Sequence, residues 1–310
     1  MPQAGPAVQR QDVRRLQQDG GIGEEWIVPH NGDLWNRCFA LVGVAAFACS
    51  SPPSTAPLAE VPLMPYVGRL VTIDVVVRGD TLPFLLDTGG GQTLLTPRTA
   101  GQVGCTPAGR SVGSRMSGER VEFARCTNIT ISLGGRELAH PDMAVFDLGS
   151  LLPTDWKELA GLVSLKTFAQ QPITLDLANA RLILESPESL RLRVAGMTPL
   201  RTRTATGQDG SALTMFFYMR QPAPGWYLFD SANLDVVRVS SHLGVPADSG
   251  DVGEGAVQLE GLPPIAGRWR IVEMIYDGAL SEEFLRAWVI TLDLAAGQAW
   301  AAQAASREAA

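Results

Sequence analysis

Two aspartates carry the residue types and spacing that chemistry needs. Asp87-Thr88-Gly89 follows the apolar run Phe84-Leu85-Leu86, and Asp230-Ser231-Ala232 follows Leu228-Phe229. A pair of carboxyls suits acid–base work: one ionised to take a proton, the other protonated to give one. A single Asp-Thr-Gly also marks ordinary turns, so the weight rests on the pair. Asp176 and Asp293 form a second matched pair, but each precedes a turn signal, Asn179-Ala180 or Ala296-Gly297, and both are read as turn-supporting. His30, His140 and His242 are scattered and the four cysteines form no C-x-x-C, so no metal centre is expected. H-E-x-x-H and G-x-S-x-G are absent, and Gly89-Gly90-Gly91 lacks the Gly-Lys-Ser/Thr of a phosphate loop. No cofactor is called for.

The aspartates sit inside an internal repeat. Residues 161–177, GLVSLKTFAQQPITLDL, align without a gap on residues 278–294, GALSEEFLRAWVITLDL. Upstream, the stretch from Thr72 that ends in Asp87-Thr88-Gly89 matches the stretch from Thr214 that ends in Asp230-Ser231-Ala232. The same order of elements in both halves points to a duplicated unit. Each half reads as two strands leading to the aspartate, further strands, an apolar triplet ending in Ser, a short helix and a last hairpin. Ser164 and Ser281 stand where strand passes to helix and are read as caps. The expected organisation is an extension over 1–61, a first lobe over 62–188, a connection over 189–211, a second lobe over 212–302 and a tail over 303–310.

Apolar-apolar-Asp-Thr-Gly followed by an apolar triplet, Leu162-Val163-Ser164 here and Ala279-Leu280-Ser281 in the second half, resembles the aspartic proteases of the pepsin/retropepsin type. The resemblance spans roughly residues 62–302. It implies a mostly β, bilobal fold with two β-barrel-like lobes and short helices, and a cleft shared by Asp87 and Asp230. It implies water as nucleophile, no cofactor, and a peptide or protein substrate. Thr88 and Ser231 correspond to the hydroxyls that lock the two loops together, and Gly89 to a glycine that permits close backbone approach. The segment from Gly109 to Val121, with Gly109, Gly113 and Gly118, lies where the family has its flap; an ordinary surface loop is the other reading. Two departures bear on activity. Ser164 and Ser281 replace glycines, and Ala232 replaces another, its extra methyl threatening to clash with the facing loop or displace Asp230. An active endopeptidase and a non-catalytic peptide-binding pseudoprotease both stay open.

Composition bounds the rest. The 310 residues include 32 Gly and 21 Pro, a turn-rich mixture. The net charge of −7 argues against a nucleic-acid partner. Residues 39–48, FALVGVAAFA, are too short to span a bilayer but suit a signal core. Cys49 and a Ser/Pro tether follow, which resembles a lipoprotein signal with membrane anchoring through lipid on Cys49. The expectation is export to the periplasm or envelope as a lipoprotein, otherwise plain secretion, and a monomer. Export makes a Cys105–Cys126 disulfide chemically feasible; free buried thiols are the alternative.

Overall fold

Two copies of one β unit, placed back to back, build the molecule. The computed structural model describes residues 54–305, except 151, 154, 208 and 247–250. The apolar run 39–48 and Cys49 lie outside the described residues. In the first half, strands Val71–Val77 and Asp80–Leu86 form a hairpin. Its turn, Arg78-Gly79, has φ of 50° and 94°, the left-handed pair a two-residue hairpin needs to match strand twist. Phe84, Leu85 and Leu86 are all buried, so this strand carries Asp87 inward. It lies parallel to Gly161–Val163, which pairs with Leu94–Leu95.

The second half repeats the pattern. Leu213–Gln221 and Gly225–Leu228 form the hairpin, and Gly278–Ala279 runs parallel to its second strand. Phe84 pairs with Gly161, and Tyr227 with Gly278. A Cβ on Gly161 would lie 2.4 Å from the Phe84 ring, and one on Gly278 2.3 Å from the Tyr227 ring. The glycine common to both repeats is therefore fixed by an aromatic ring and a backbone carbonyl, Leu94 at Gly161 and Arg238 at Gly278, that leave no room for a Cβ.

The halves share a sheet. It has thirteen strands, and the six at one end run in the order Thr198–Pro199, Gln298–Gln303, Trp288–Asp293, Ile173–Asp176, Arg181–Leu184, Ala59–Pro65. At its centre Thr174 pairs with Thr291, and their hydroxyls are 2.8 Å apart. Equivalent residues of the two repeats thus meet on a pseudo-twofold axis. Asp176 accepts from the Asn179 N–H and from Arg181 Nε, and Asp293 from the Ala296 N–H, as turn-supporting carboxylates do.

The described strands run from Ala59–Pro65 to Gln298–Gln303. The segment 189–211 holds the end of helix Pro187–Val194 and a strand, Thr202–Thr206, paired with Leu213–Gln221 in the second-lobe sheet. That strand is an edge strand exposed along most of its length. It has no apolar alternation to read, and its Thr/Arg composition resembles a loop.

His140, on strand Arg136–Val145, is buried, and its Nε2 has no hydrogen-bond partner among the described residues. Burial, aided by the Lys166 charge, lowers its pKa from 6.5 to about 4. As pH falls, the unfolded chain takes the proton first. Stability is therefore lost as pH falls from about 6.5 to about 4, by about 3 kcal/mol, and the loss is complete below that. Urea midpoints of wild type and His140→Leu over this range should diverge, with the variant lacking this share of the acid-side loss.

Candidate active site

The two aspartate loops are joined by a reciprocal set of hydrogen bonds. Thr88 Oγ1 donates to the Phe229 carbonyl (2.9 Å) and accepts from the Ser231 N–H (2.9 Å). Ser231 Oγ donates to the Leu86 carbonyl (3.1 Å) and accepts from the Thr88 N–H (3.1 Å). Both hydroxyls are buried. Each hydroxyl thus satisfies a donor and an acceptor of the opposite loop, which water cannot reach.

This lock brings the two aspartates close enough for the Asp230 charge to act on Asp87. Asp87 Oδ1 accepts from the Gly89 N–H and Asp230 Oδ1 from the Ala232 N–H, both at 2.9 Å. A Cβ on Gly89 would lie 2.6 Å from Asp230 Cγ, so the first loop lies flat against the opposite carboxyl. Both carboxyls are held well above the usual carboxylate range. Burial is the larger cause for each, and the Asp230 charge adds to it at Asp87. The N–H groups of Gly89 and Gly90 oppose the rise at Asp87; those of Ala232 and Asn233, with the Arg238 charge, oppose it at Asp230. Two such groups titrate as a pair, and one proton shared between them is the favoured state.

A cleft of about 470 Å³ opens beside Asp87. Its floor is the backbone from Gly89 to Gln92, and its apolar wall includes Leu94, Phe123, Phe146, Leu148 and Leu162. Its roof is a hairpin of Ala108–Ser114 and Arg120–Leu133, in place of the surface loop that is the competing expectation. Gly113 lines the cleft, Gly118 takes φ +85° in the tip turn, and Gly109 takes φ +70° at an irregularity in the pairing. Cys105 and Cys126 are joined in a disulfide with a Cα separation of 5.9 Å, which braces the base of this hairpin. The second lobe adds Ala205, Thr206, Gly207, Ala212, Thr214 and Tyr276.

Residues 73–163 match the family model for aspartyl proteases. The chain has an aspartic-protease fold. It superposes on basic 7S globulin from soybean with a TM-score of 0.51 at 9% identity, over 79% of this chain and 95% of that one. That likeness concerns the fold alone. No curated protein matches the chain by sequence.

Within the aspartic-protease fold, the departures from the family pattern have local explanations. Ala232 packs its methyl against a cluster containing Leu70, Leu85, Leu148, Leu159 and Leu162, and its N–H still orients Asp230. The methyl is thus accommodated by apolar contact with this cluster. Asn233 Nδ2 donates to the Leu280 carbonyl (3.1 Å), tying the second aspartate loop to the apolar triplet behind it. Ser164 caps the turn of helix that follows and shares a buried hydroxyl network with Thr93 and Thr167. Ser281 caps helix Glu282–Leu285.

Sequence reading located the aspartates and their hydroxyl neighbours but not the side chains of the cleft. It also missed an inter-lobe bridge. Arg125 pairs with Asp142 (2.8 Å) and with Asp209, while Gln92 Nε2 donates to Ser211 Oγ (3.1 Å). The available signal was the repeat itself, which sets the hairpin before Leu213 in the place of the one before Val71.

Thr88→Val keeps the shape of the side chain but leaves the Ser231 N–H and the Phe229 carbonyl unpaired in the interior. It should lower stability by about 3 kcal/mol, read as a shift of the urea midpoint.

Proposed function

We propose that this chain is an aspartic endopeptidase that hydrolyses an extended peptide lying across the cleft. The observation that supports the reading is the reciprocal Thr88–Ser231 lock, which joins the two loops that carry Asp87 and Asp230. In this mechanism the ionised carboxylate takes a proton from a water as the water oxygen bonds to the scissile carbonyl carbon. The protonated partner gives its proton to the carbonyl oxygen. The tetrahedral intermediate then collapses: one carboxyl gives its proton to the nitrogen as the C–N bond breaks, a hydroxyl of the intermediate returns a proton to the other carboxylate, and a carboxylic acid and an amine leave with the pair restored. No cofactor enters the balance.

The substrate class follows from the cleft walls. Ala108–Ser114 and Thr202–Thr206 are the terminal strands of the two sheets. Free strand edges bind extended backbone, and alternate side chains then fall into pockets. The wall of Leu94, Phe123 and Phe146 suits an apolar side chain beside the scissile bond. Since one chain supplies both aspartates, a monomer suffices. The disulfide supports folding in an oxidising compartment, hence export, and Cys49 is proposed as the anchoring residue.

Separate Asp87→Asn and Asp230→Asn variants, assayed with a peptide library, should each lose at least about 1000-fold in kcat/KM. Wild-type protein that binds peptides saturably without product would instead establish the pseudoprotease reading. Because burial raises both carboxyls, the bell-shaped kcat/KM profile should centre above about pH 4, the ordinary carboxylate range. The same shift has a sign in stability. A carboxyl with a raised folded pKa stabilises fully below its unfolded value, and that contribution is lost as pH rises through the folded one. Each Asp→Asn variant should therefore unfold at a higher temperature than wild type at pH 7, measured by calorimetry.

A further inference from the structure

We propose that Arg203 is a specificity residue: its guanidinium, held at the mouth of the cleft, receives a carboxylate of the bound peptide about three or four residues from the scissile bond. This rests on the peptide-cleaving reading above and adds the substrate feature which that reading leaves open.

Arg203 is an exposed residue of the edge strand Thr202–Thr206 and pairs with Phe216 on the neighbouring strand. Its guanidinium carbon stands 5.6 Å from the centroid of the Phe216 ring. That ring is buried and meets Tyr276 edge-on, with centroids 5.1 Å apart. Tyr276 lines the cleft. So do Ala205, which follows Arg203 on the same face of its strand, and Thr214, which precedes Phe216 on the same face of the next. Arg203 is thus carried on the face that forms the second-lobe wall of the cleft. Stacking on Phe216 orients a long side chain that is otherwise free to sweep through water.

Its charge is unmatched. Arg115 pairs with Glu119, and Arg125 with Asp142 and Asp209. Arg201, farther out on the same face and stacked over Tyr218 and Trp226, pairs with Glu260. Among the described residues no carboxylate pairs with Arg203. On a chain of net charge −7, an unneutralised arginine at the cleft is the local exception that draws an anion. Lone charges also serve to keep edge strands from pairing with other chains. A charge with that task needs no ring beneath it, and this one is laid over the wall of the cleft.

The strand register gives the distance. Arg203 pairs with Phe216, Phe216 pairs with Leu228, and Asp230 lies just beyond Leu228. Arg203 therefore stands two strands across and two residues along from Asp230, roughly 12 Å in all, or three to four residues of extended chain. The edge is arranged to receive such a chain. The Tyr218 N–H donates to the Arg201 carbonyl and the Gly207 N–H to the Ala212 carbonyl, both at 3.1 Å. Backbone groups alternate sides along a strand, so those of Thr202, Thr204 and Thr206 face the edge that no described strand covers. A peptide bonded there lays every second side chain on the face of Arg203, where a guanidinium takes a carboxylate through two parallel N–H bonds.

The carboxylate is either an Asp or Glu side chain or the free C-terminus of the peptide, and two substrate sets separate these sources. One set carries Glu, Gln or Lys at each position on either side of the scissile bond, with an amidated C-terminus. The other carries Gln throughout and ends at each position as a free acid or an amide. Both are measured as kcat/KM and, with a hydroxyl-bearing tetrahedral carbon in place of the scissile carbonyl, as Kd. Wild type should prefer the carboxylate over its neutral partner by about fivefold at a position three or four residues from the bond, the size of one charge-assisted contact at an exposed site. Arg203→Gln should bring the ratio to about one. Arg203→Glu should turn the preference to Lys at that position, which a loss of packing alone does not do. No carboxylate preference in wild type, or an equal one in Arg203→Gln, would overturn the assignment even in a chain that cleaves peptides well. An Arg203-dependent preference in Kd without cleavage keeps the assignment and sinks the endopeptidase reading instead. A chain that neither binds nor cleaves any member of either set overturns both.

Discussion

Two hydroxyls hold the centre of this molecule. Thr88 and Ser231 each reach across the pseudo-twofold axis and bond to both a carbonyl and an N–H of the other loop. These bonds form in the interior, where an unmet backbone group is costly. The carboxyls at Asp87 and Asp230 would otherwise repel each other whenever both are charged. The lock supplies the opposing constraint, and the shared proton removes most of what is left to oppose. Charge, burial and backbone geometry at the site are thus one problem with one solution.

Duplication supplies the symmetry, and packing decides where it is broken. Gly89 is forced, because its Cβ would lie within 2.6 Å of Asp230 Cγ. Its counterpart Ala232 is free to carry a methyl, because the apolar cluster of Leu70, Leu85 and Leu162 lies on its side of the axis. The rings over the shared glycines follow the same logic: Phe84 in one lobe and Tyr227 in the other fill the same space with different chemistry. The Tyr227 hydroxyl is buried, and its pKa is raised mainly by that burial and further by the Asp277 charge.

The sequence made the aspartate loops legible because their constraints are local. An apolar strand, an acid, a hydroxyl and a small residue occupy consecutive positions, and the pattern occurs twice. The caps at Ser164 and Ser281 were legible for the same reason. The cleft was not, since Phe123, Phe146 and Tyr276 come from separate strands and loops that only the fold brings together. The strand Thr202–Thr206 was hidden because an exposed edge strand has no buried face to impose a period. Nothing local to Met116, which is partly buried, or to exposed Ile275 forecasts the bond between the Ile275 N–H and the Met116 carbonyl. Their pairing exists only through the meeting of two lobes.

The position of the lock also determines how firmly the two lobes are held. Two points on a line fix an axis, and here the lobes are joined at two points on theirs. One is the Thr88–Ser231 lock at the cleft, and the other is the Thr174–Thr291 contact in the shared sheet. Arg286 adds a tie away from the axis, from Nη1 to the Leu177 carbonyl at 2.7 Å. Opening the cleft by swinging one lobe would break buried bonds of the lock or ladder bonds of the sheet. Buried hydrogen bonds are each worth about 1 kcal/mol net, and more when a group is left unpaired. A carboxyl pair whose spacing sets its shared titration is best served by a rigid frame, and these joints give the chain one.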